Sequence, residues 1–308
     1  MMRWMDVEGR AYALDRLASA DILRRRVSKA LYEAALERVG GTLCLSAAER
    51  LSRAGRGDNV FIITGFPMEN VCETDGPPGA AVLAYTLREL GLNPALVTDR
   101  LCEPVVRAVV EEKFEVEAVS IEGERAEGEA EKLLESYEPA ALIAVERPGW
   151  NSKGEYHNMR GLSLSHRVGK TDYLFLGARR RGIPTIAVGD GGNELGCGLI
   201  EETVRRYVPN GDRCSCPCGG GIAASTPADV LVIAATSNWG AYTISATLSL
   251  LEGAEYRHDG KRELLLLERI LKAGGVDGVT GEKALTVDGI PTVVNQLAVE
   301  LIWAIASV

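Results

Sequence analysis

Apolar residues fall along this chain in two rhythms. Over roughly the first fifty residues, Leu14, Leu17, Ile22, Leu31 and Leu36 recur among charged positions at near-helical spacing, as expected of helices with one buried face. Ser46 followed by Glu49 reads as a capping box that opens a short helix ending near Gly55. Beyond the turn at 55–59 the rhythm changes. Short β-branched runs at 60–64, 95–98, 116–121, 141–145, 185–188 and 230–235 alternate with helical stretches, among them 79–90 and 105–113. These runs are apolar throughout rather than alternating, so both faces of their sheet must be covered, which is the mark of parallel strands between helices. The pattern predicts an α/β fold: a Rossmann-like, doubly wound, mostly parallel sheet with helices on both faces and an N-terminal helical addition. Residues 1–57 are expected to form a helical segment packed on the core, and 58–308 the α/β domain. From 238 onward the chain reads as helical, with 290–308 as the last helix. The acidic run 122–135 is a solvated helix face.

Composition narrows the classes of function. A chain of 308 residues can bury a full core. A net charge of −9 argues against nucleic acid, whose binding rests on Lys and Arg neutralising phosphates. No apolar run reaches membrane-spanning length, and the start has no apolar signal core, so a cytoplasmic protein is expected. Seven cysteines, an odd count, fit a reducing compartment without disulfides. Neither nucleic acid nor a membrane is expected as a partner, a homo-oligomer stays open, and Arg147 and Arg160 point to a small amino-acid or carboxylic-acid substrate.

Candidate chemistry follows the carboxyl ends of the strands. Polar or glycine-rich segments stand there at 64–67, 98–100, 146–149, 189–194 and 236–240, where open parallel sheets bind ligands. The most informative is Gly189-Asp190-Gly191-Gly192-Asn193-Glu194-Leu195-Gly196. A glycine loop normally cradles phosphate with bare amides, but Asp190 and Glu194 would repel one, so the loop suits a cation or a small polar substrate. If a helix begins at the loop, the two carboxylates share a face. Hard oxygen donors then suit Mg²⁺ or Mn²⁺, with Asp75 as a third candidate ligand, although each of these acids could equally cap a turn or helix. The long segment 146–161 carries Arg147 and Arg160, either of which could grip a carboxylate bidentately or serve a structural ion pair.

Other motifs carry less. Gly169-Lys170-Thr171 is not a P-loop, because Leu164 stands where the leading glycine belongs. No nucleotide is expected. Cys214, Cys216 and Cys218 could hold Zn²⁺ or an iron–sulfur cluster with a fourth ligand such as Cys197, or could simply be reduced thiols in a glycine-rich turn.

Taken as an ordered set, the segments at 63–67, 73–79, 146–149, 156–161, 189–196 and 237–240 resemble the D-glutamate cyclase C-terminal-domain family over roughly residues 40–305. The resemblance implies conversion of D-glutamate to 5-oxo-D-proline with loss of water, aided by a divalent cation. On that reading Asp190 and Glu194 take the cation or acid–base role with Asp75 assisting, and Arg160 anchors the α-carboxylate. Asn193 and Asn238 orient the substrate, and Glu146 counts among the catalytic candidates. Two other classes stay open: a metal-dependent lyase or hydrolase on another small acid, and a non-catalytic protein that binds an amino acid or a metal.

Overall fold

The computed structural model describes residues 2–24, 26–120 and 122–307. Three helices come first, α1 (Met2–Ala18), α2 (Ser28–Val39) and α3 (Leu43–Leu51). The alternating unit follows as β1 (Asn59–Thr64), α4 (Pro77–Glu89), β2 (Asn93–Thr98), α5 (Glu103–Val110), β3 (Val116–Ala118), α6 (Gly123–Tyr137), β4 (Ala141–Val145), α7 (Asp172–Arg180), β5 (Thr185–Gly189), α8 (Glu201–Tyr207) and β6 (Val230–Ile233). Helices α9 (Ser237–Glu252) and α10 (Gly260–Lys272), a small hairpin of β7 (Thr286–Val287) and β8 (Ile290–Pro291), and α11 (Thr292–Ser307) complete the chain.

The six long-range strands are all parallel, in the order β3-β2-β1-β4-β5-β6. This is the doubly wound Rossmann order, and it reverses between β1 and β4. Right-handed crossovers then place α4 and α7 on opposite faces. Helix α9 packs along α4, α6 packs along α7, and α1 and α3 lie over α9. Phe61, Ile62, Ile63, Leu142, Ile143 and Ile186 are fully buried, which accounts for the continuous apolar runs.

Local departures from the sequence reading have physical causes. The capping box at Ser46 does not form. Helix α3 starts at Leu43, and the carboxylate of Asp15 on α1 accepts from the Leu43 and Cys44 amides at 2.6 and 2.9 Å, doing the capping from a distance. Helix α4 begins two residues early because Pro77 and Pro78 fit the first turn, where no amide partner is needed. Strands β3 and β6 are shorter than expected, and the last helix yields its first residues to the β7–β8 hairpin; Ile121 and Val308, the expected ends of a strand and of that helix, lie outside the described residues. Helix α6 buries Ala126, Ala130 and Leu134 and turns its acids outward, where Glu131 meets Arg180 and Arg181. No helix among the described residues is long and apolar enough to cross a membrane.

Candidate active site

The switch point between β1 and β4 gathers the carboxylates. Asp75 arrives on the β1–α4 connection, Glu146 is the first residue after β4, and Asp190 is the first after β5. All three are buried, and each offers an oxygen within 4.8 Å of the others. Glu146 has φ 44°, a left-handed conformation that is strained for a side-chain-bearing residue. Its Oε2 accepts from Ser237 Oγ at 2.5 Å. Burial, and after it the negative charges of Asp190, Glu194 and Asp75, pushes the Glu146 carboxyl well above the usual carboxylate range.

Asp75 joins two helix N-termini. Its Oδ2 accepts from the Ser237 amide at 2.8 Å, and its Oδ1 accepts from the amides of Asn238 and Gly76 at 2.9 and 3.0 Å. Asn238 answers from the other side: its Oδ1 accepts from Gly76 and Gly79, and its Nδ2 donates to the Thr74 carbonyl. The Asn238 side chain, expected to orient substrate, is thus spent on backbone and locks α4 to α9 behind Asp75. The positive ends of both helices face the carboxylates, which favours negative charge there.

No helix begins at the glycine loop itself. Residues 190–197 form an irregular turn, followed by a single 3-10 turn (Gly198–Ile200) and α8. Gly196 explains the path. At φ 102° it lies so close to β5 that a Cβ would sit 2.1 Å from that of Ala187. Asp190 and Glu194 therefore share no helix face. Glu194 folds back instead. Its oxygens accept from the amides of Asp190 (3.3 Å), Gly191 (2.7 Å) and Gly192 (2.7 Å), and from the Cys197 thiol at 3.2 Å. The loop amides that would have bound a phosphate are occupied by the chain's own carboxylate.

The second long loop lies against the first. Asn193 Nδ2 donates to the His157 carbonyl at 2.9 Å, and Met159 sits over Gly191. Arg160 follows on this loop and is exposed. Arg147, the other candidate anchor, is fully buried and belongs to the scaffold. It pairs with Asp99 at 2.7 Å, donates to the Gly65 and Gly169 carbonyls at 2.8 and 2.7 Å, and reaches Thr171 Oγ1 at 3.1 Å. Two members of the run that mimics a P-loop, the Gly169 carbonyl and the Thr171 hydroxyl, are thus part of a buried brace.

Ser237 and Glu73 were not singled out in the sequence. Both lie in segments that were, beside Asn238 and Asp75. Glu73 is buried near the trio; burial, then Asp288 and Asp75, pushes its carboxyl well above the usual range. Asp75, Glu146 and Asp190 are hard oxygen donors in close reach, and their crowding raises an electrostatic cost that a divalent cation would offset. The donor set fits such an ion.

Fold and site define a Rossmann-order α/β protein with an acidic site at the carboxyl edge of its sheet. The D-glutamate cyclase-like C-terminal family matches residues 14–302, and the chain belongs to that family. The chain is 34% identical over 279 residues to the mitochondrial D-glutamate cyclase of Homo sapiens, an alignment that covers 84% of this chain and 42% of that protein. It therefore spans less than half the length of that relative. Among solved structures, a crystal structure of Acinetobacter baumannii MurG overlaps 48% of this chain and 39% of its own at 13% identity, with a TM-score of 0.30. That likeness carries no weight here.

Proposed function

We propose that this chain is an enzyme of the hydro-lyase type that cyclises D-glutamate to 5-oxo-D-proline and releases water. The observation that carries the reading is the meeting of Asp75, Glu146 and Asp190 within 4.8 Å at the β1–β4 switch point, in a chain of the D-glutamate cyclase-like family.

The reaction joins the α-nitrogen to the γ-carbon and breaks a carbon–oxygen bond of the γ-carboxylate. The ammonium sheds two protons in all, and the departing oxygen gains two to leave as water. Asp190, on the loop held by Glu194, receives a proton from the amine and returns it to the leaving oxygen in this reading. Glu146 shares the same space and is oriented by Ser237. Asp75 is fixed by the amides of α9 and holds the third corner. Arg160 binds the α-carboxylate from the loop that Met159 lays over Gly191. Asn193 ties that loop to the glycine loop, and Asn238 fixes α4. Holding amine and carboxylate in ring-forming geometry removes much of the entropic barrier. A divalent cation, Mn²⁺ or Mg²⁺, held by Asp75, Glu146 and Asp190 would supply Lewis acidity and neutralise the γ-carboxylate.

The test is a substrate panel of D-glutamate, L-glutamate and D-aspartate, scored by chiral chromatography of substrate and product. Consumption of D-glutamate with matching formation of 5-oxo-D-proline supports the reading. Consumption of a different acid, or ligand-induced stabilisation with no turnover of any, sinks it.

A further inference from the structure

Away from the carboxylates, the two loops that frame the glycine turn carry a second cluster. His157 lies on the β4–α7 loop, and Cys214, Cys216 and Cys218 lie on the α8–β6 loop. One ligand atom from each stands within 4.8 Å of all the others. Cys214 Sγ is 3.5 Å from Cys216 Sγ and 3.3 Å from Cys218 Sγ, while His157 Nε2 is 3.1 Å from Cys216 Sγ and 3.6 Å from Cys218 Sγ. We propose that these four residues form a closed, tetrahedral structural site for Zn²⁺, separate from the carboxylate site.

The geometry can be checked against the ion. Zinc–sulfur bonds of about 2.3 Å and zinc–nitrogen bonds of about 2.0–2.1 Å at tetrahedral angles imply sulfur–sulfur edges of about 3.8 Å and sulfur–nitrogen edges of about 3.5 Å. The four distances given lie within about half an ångström of these, and the cluster needs only a slight expansion to seat the ion. A disulfide requires a sulfur–sulfur distance of about 2.05 Å and would leave the third thiol over; all three cysteines are free. Three thiolates with one imidazole select zinc over the hard cations that suit Asp75, Glu146 and Asp190. With four protein ligands no position is left for substrate, so the site is structural. Cys197, the fourth ligand considered from sequence, is committed to Glu194.

Contacts to Cys218 and between the two loops support the cluster. The Gly220 amide and Asn151 Nδ2 both approach Cys218 Sγ, at 3.4 and 3.5 Å. Asn151 Nδ2 also donates to the Gly221 carbonyl at 2.7 Å, and the Ser215 amide donates to the Gly161 carbonyl at 3.0 Å, so the two loops are stitched on either side of the ligands. The consequence reaches the active site. His157 presents its carbonyl to Asn193 of the glycine loop, so an ion that fixes the imidazole also fixes the frame around Asp190.

The test is metal analysis of the full chain, purified under reducing conditions without chelator, then loaded with Zn²⁺ and desalted. About one zinc per chain is expected, lost in Cys216→Ser/Cys218→Ser, kept in His157→Cys, which completes a four-cysteine site, and kept in Asp190→Asn. Because the serine variant can fail to fold, Co²⁺ loading of the wild-type protein gives a second reading: thiolate-to-cobalt charge-transfer absorption is expected. Wild-type protein that retains no zinc after loading, zinc retained equally by a folded serine variant, or cobalt bound without the charge-transfer band would each overturn the assignment. None of these readouts depends on catalysis, so the site stands or falls independently of the cyclase reading.

Discussion

Replacing Arg147 with methionine keeps most of the side chain's volume and removes its charge. In the native structure the guanidinium pairs with Asp99, and the two side chains are 0% and 1% exposed. It also donates to two buried carbonyls and a hydroxyl. Breaking a buried pair by deleting one partner costs about 3–5 kcal/mol, because the other charge is left uncompensated. Each stranded carbonyl adds about 1–3 kcal/mol where water cannot reach it. The predicted loss for Arg147→Met is therefore at least about 3 kcal/mol, a large share of the roughly 5–15 kcal/mol that holds a typical domain together. Urea unfolding reads it. With a slope of roughly 3 kcal/mol per molar, the midpoint falls by about 1 M or more at unchanged slope. Asp99→Asn in the same chain removes the stranded charge, so the double variant should lose less than the sum of the singles. A midpoint within about 0.3 M of wild type, together with a raised KM, would refute the buried-brace account and return Arg147 to the substrate.

Three further outcomes follow from named contacts. Glu194→Gln leaves loop amides without their charged acceptor; a displaced Asp190 should lower kcat by about 10²-fold while the fold persists, and unaltered steady-state kinetics would show that Glu194 does not hold the loop. Burial raises the Asp172 pKa from 3.8 to about 6, against opposing hydrogen bonds from Thr226, Tyr156 and Trp150. Its folded value exceeds its unfolded one, so its contribution is present below about pH 4 and is lost as pH rises through about 6, a change of roughly 3 kcal/mol; urea midpoints between pH 4 and 6.5 should fall more steeply in wild type than in Asp172→Asn, and equal slopes count against it. Gly76 has φ 93°, and an added Cβ would meet Glu146 Cβ at 2.7 Å and the Val145 carbonyl at 3.0 Å; Gly76→Ala should cost about 1–3 kcal/mol and most of the turnover, whereas wild-type kinetics would show that Glu146 tolerates displacement.

The strands were legible because they are buried on both faces, and a fully apolar run such as Phe61–Ile63 or Leu142–Ile143 has no other stable place in a sheet of this kind. Because the strands run parallel, the segments after β1, β4, β5 and β6 had to meet at one edge, although the strand order itself was not legible in the sequence. What could not be read were contacts set by packing between distant parts of the chain. Whether a helix starts at residue 190 depends on how closely Gly196 approaches Ala187, and with it the direction of Glu194. The cap of α3 comes from Asp15 on another helix, overriding the local signal at Ser46. The brace between Arg147 and Asp99 and the approach of His157 to the cysteine turn have no local pattern at all. Ser237 and Glu73 stood beside recognised residues, but only geometry shows that one orients Glu146 and the other adds to the buried charge.

The central claim is that Asp75, Glu146 and Asp190 carry the cyclisation of D-glutamate. An NMR time course of the chelator-treated protein with D-glutamate, with and without added Mn²⁺ or Mg²⁺, tests it most directly when run beside Asp190→Asn. The account predicts 5-oxoproline signals that grow only with D-glutamate and added cation, and that are absent from the folded Asp190→Asn variant. Product from that variant at the wild-type rate, or none from folded wild-type protein supplied with cation, would contradict it.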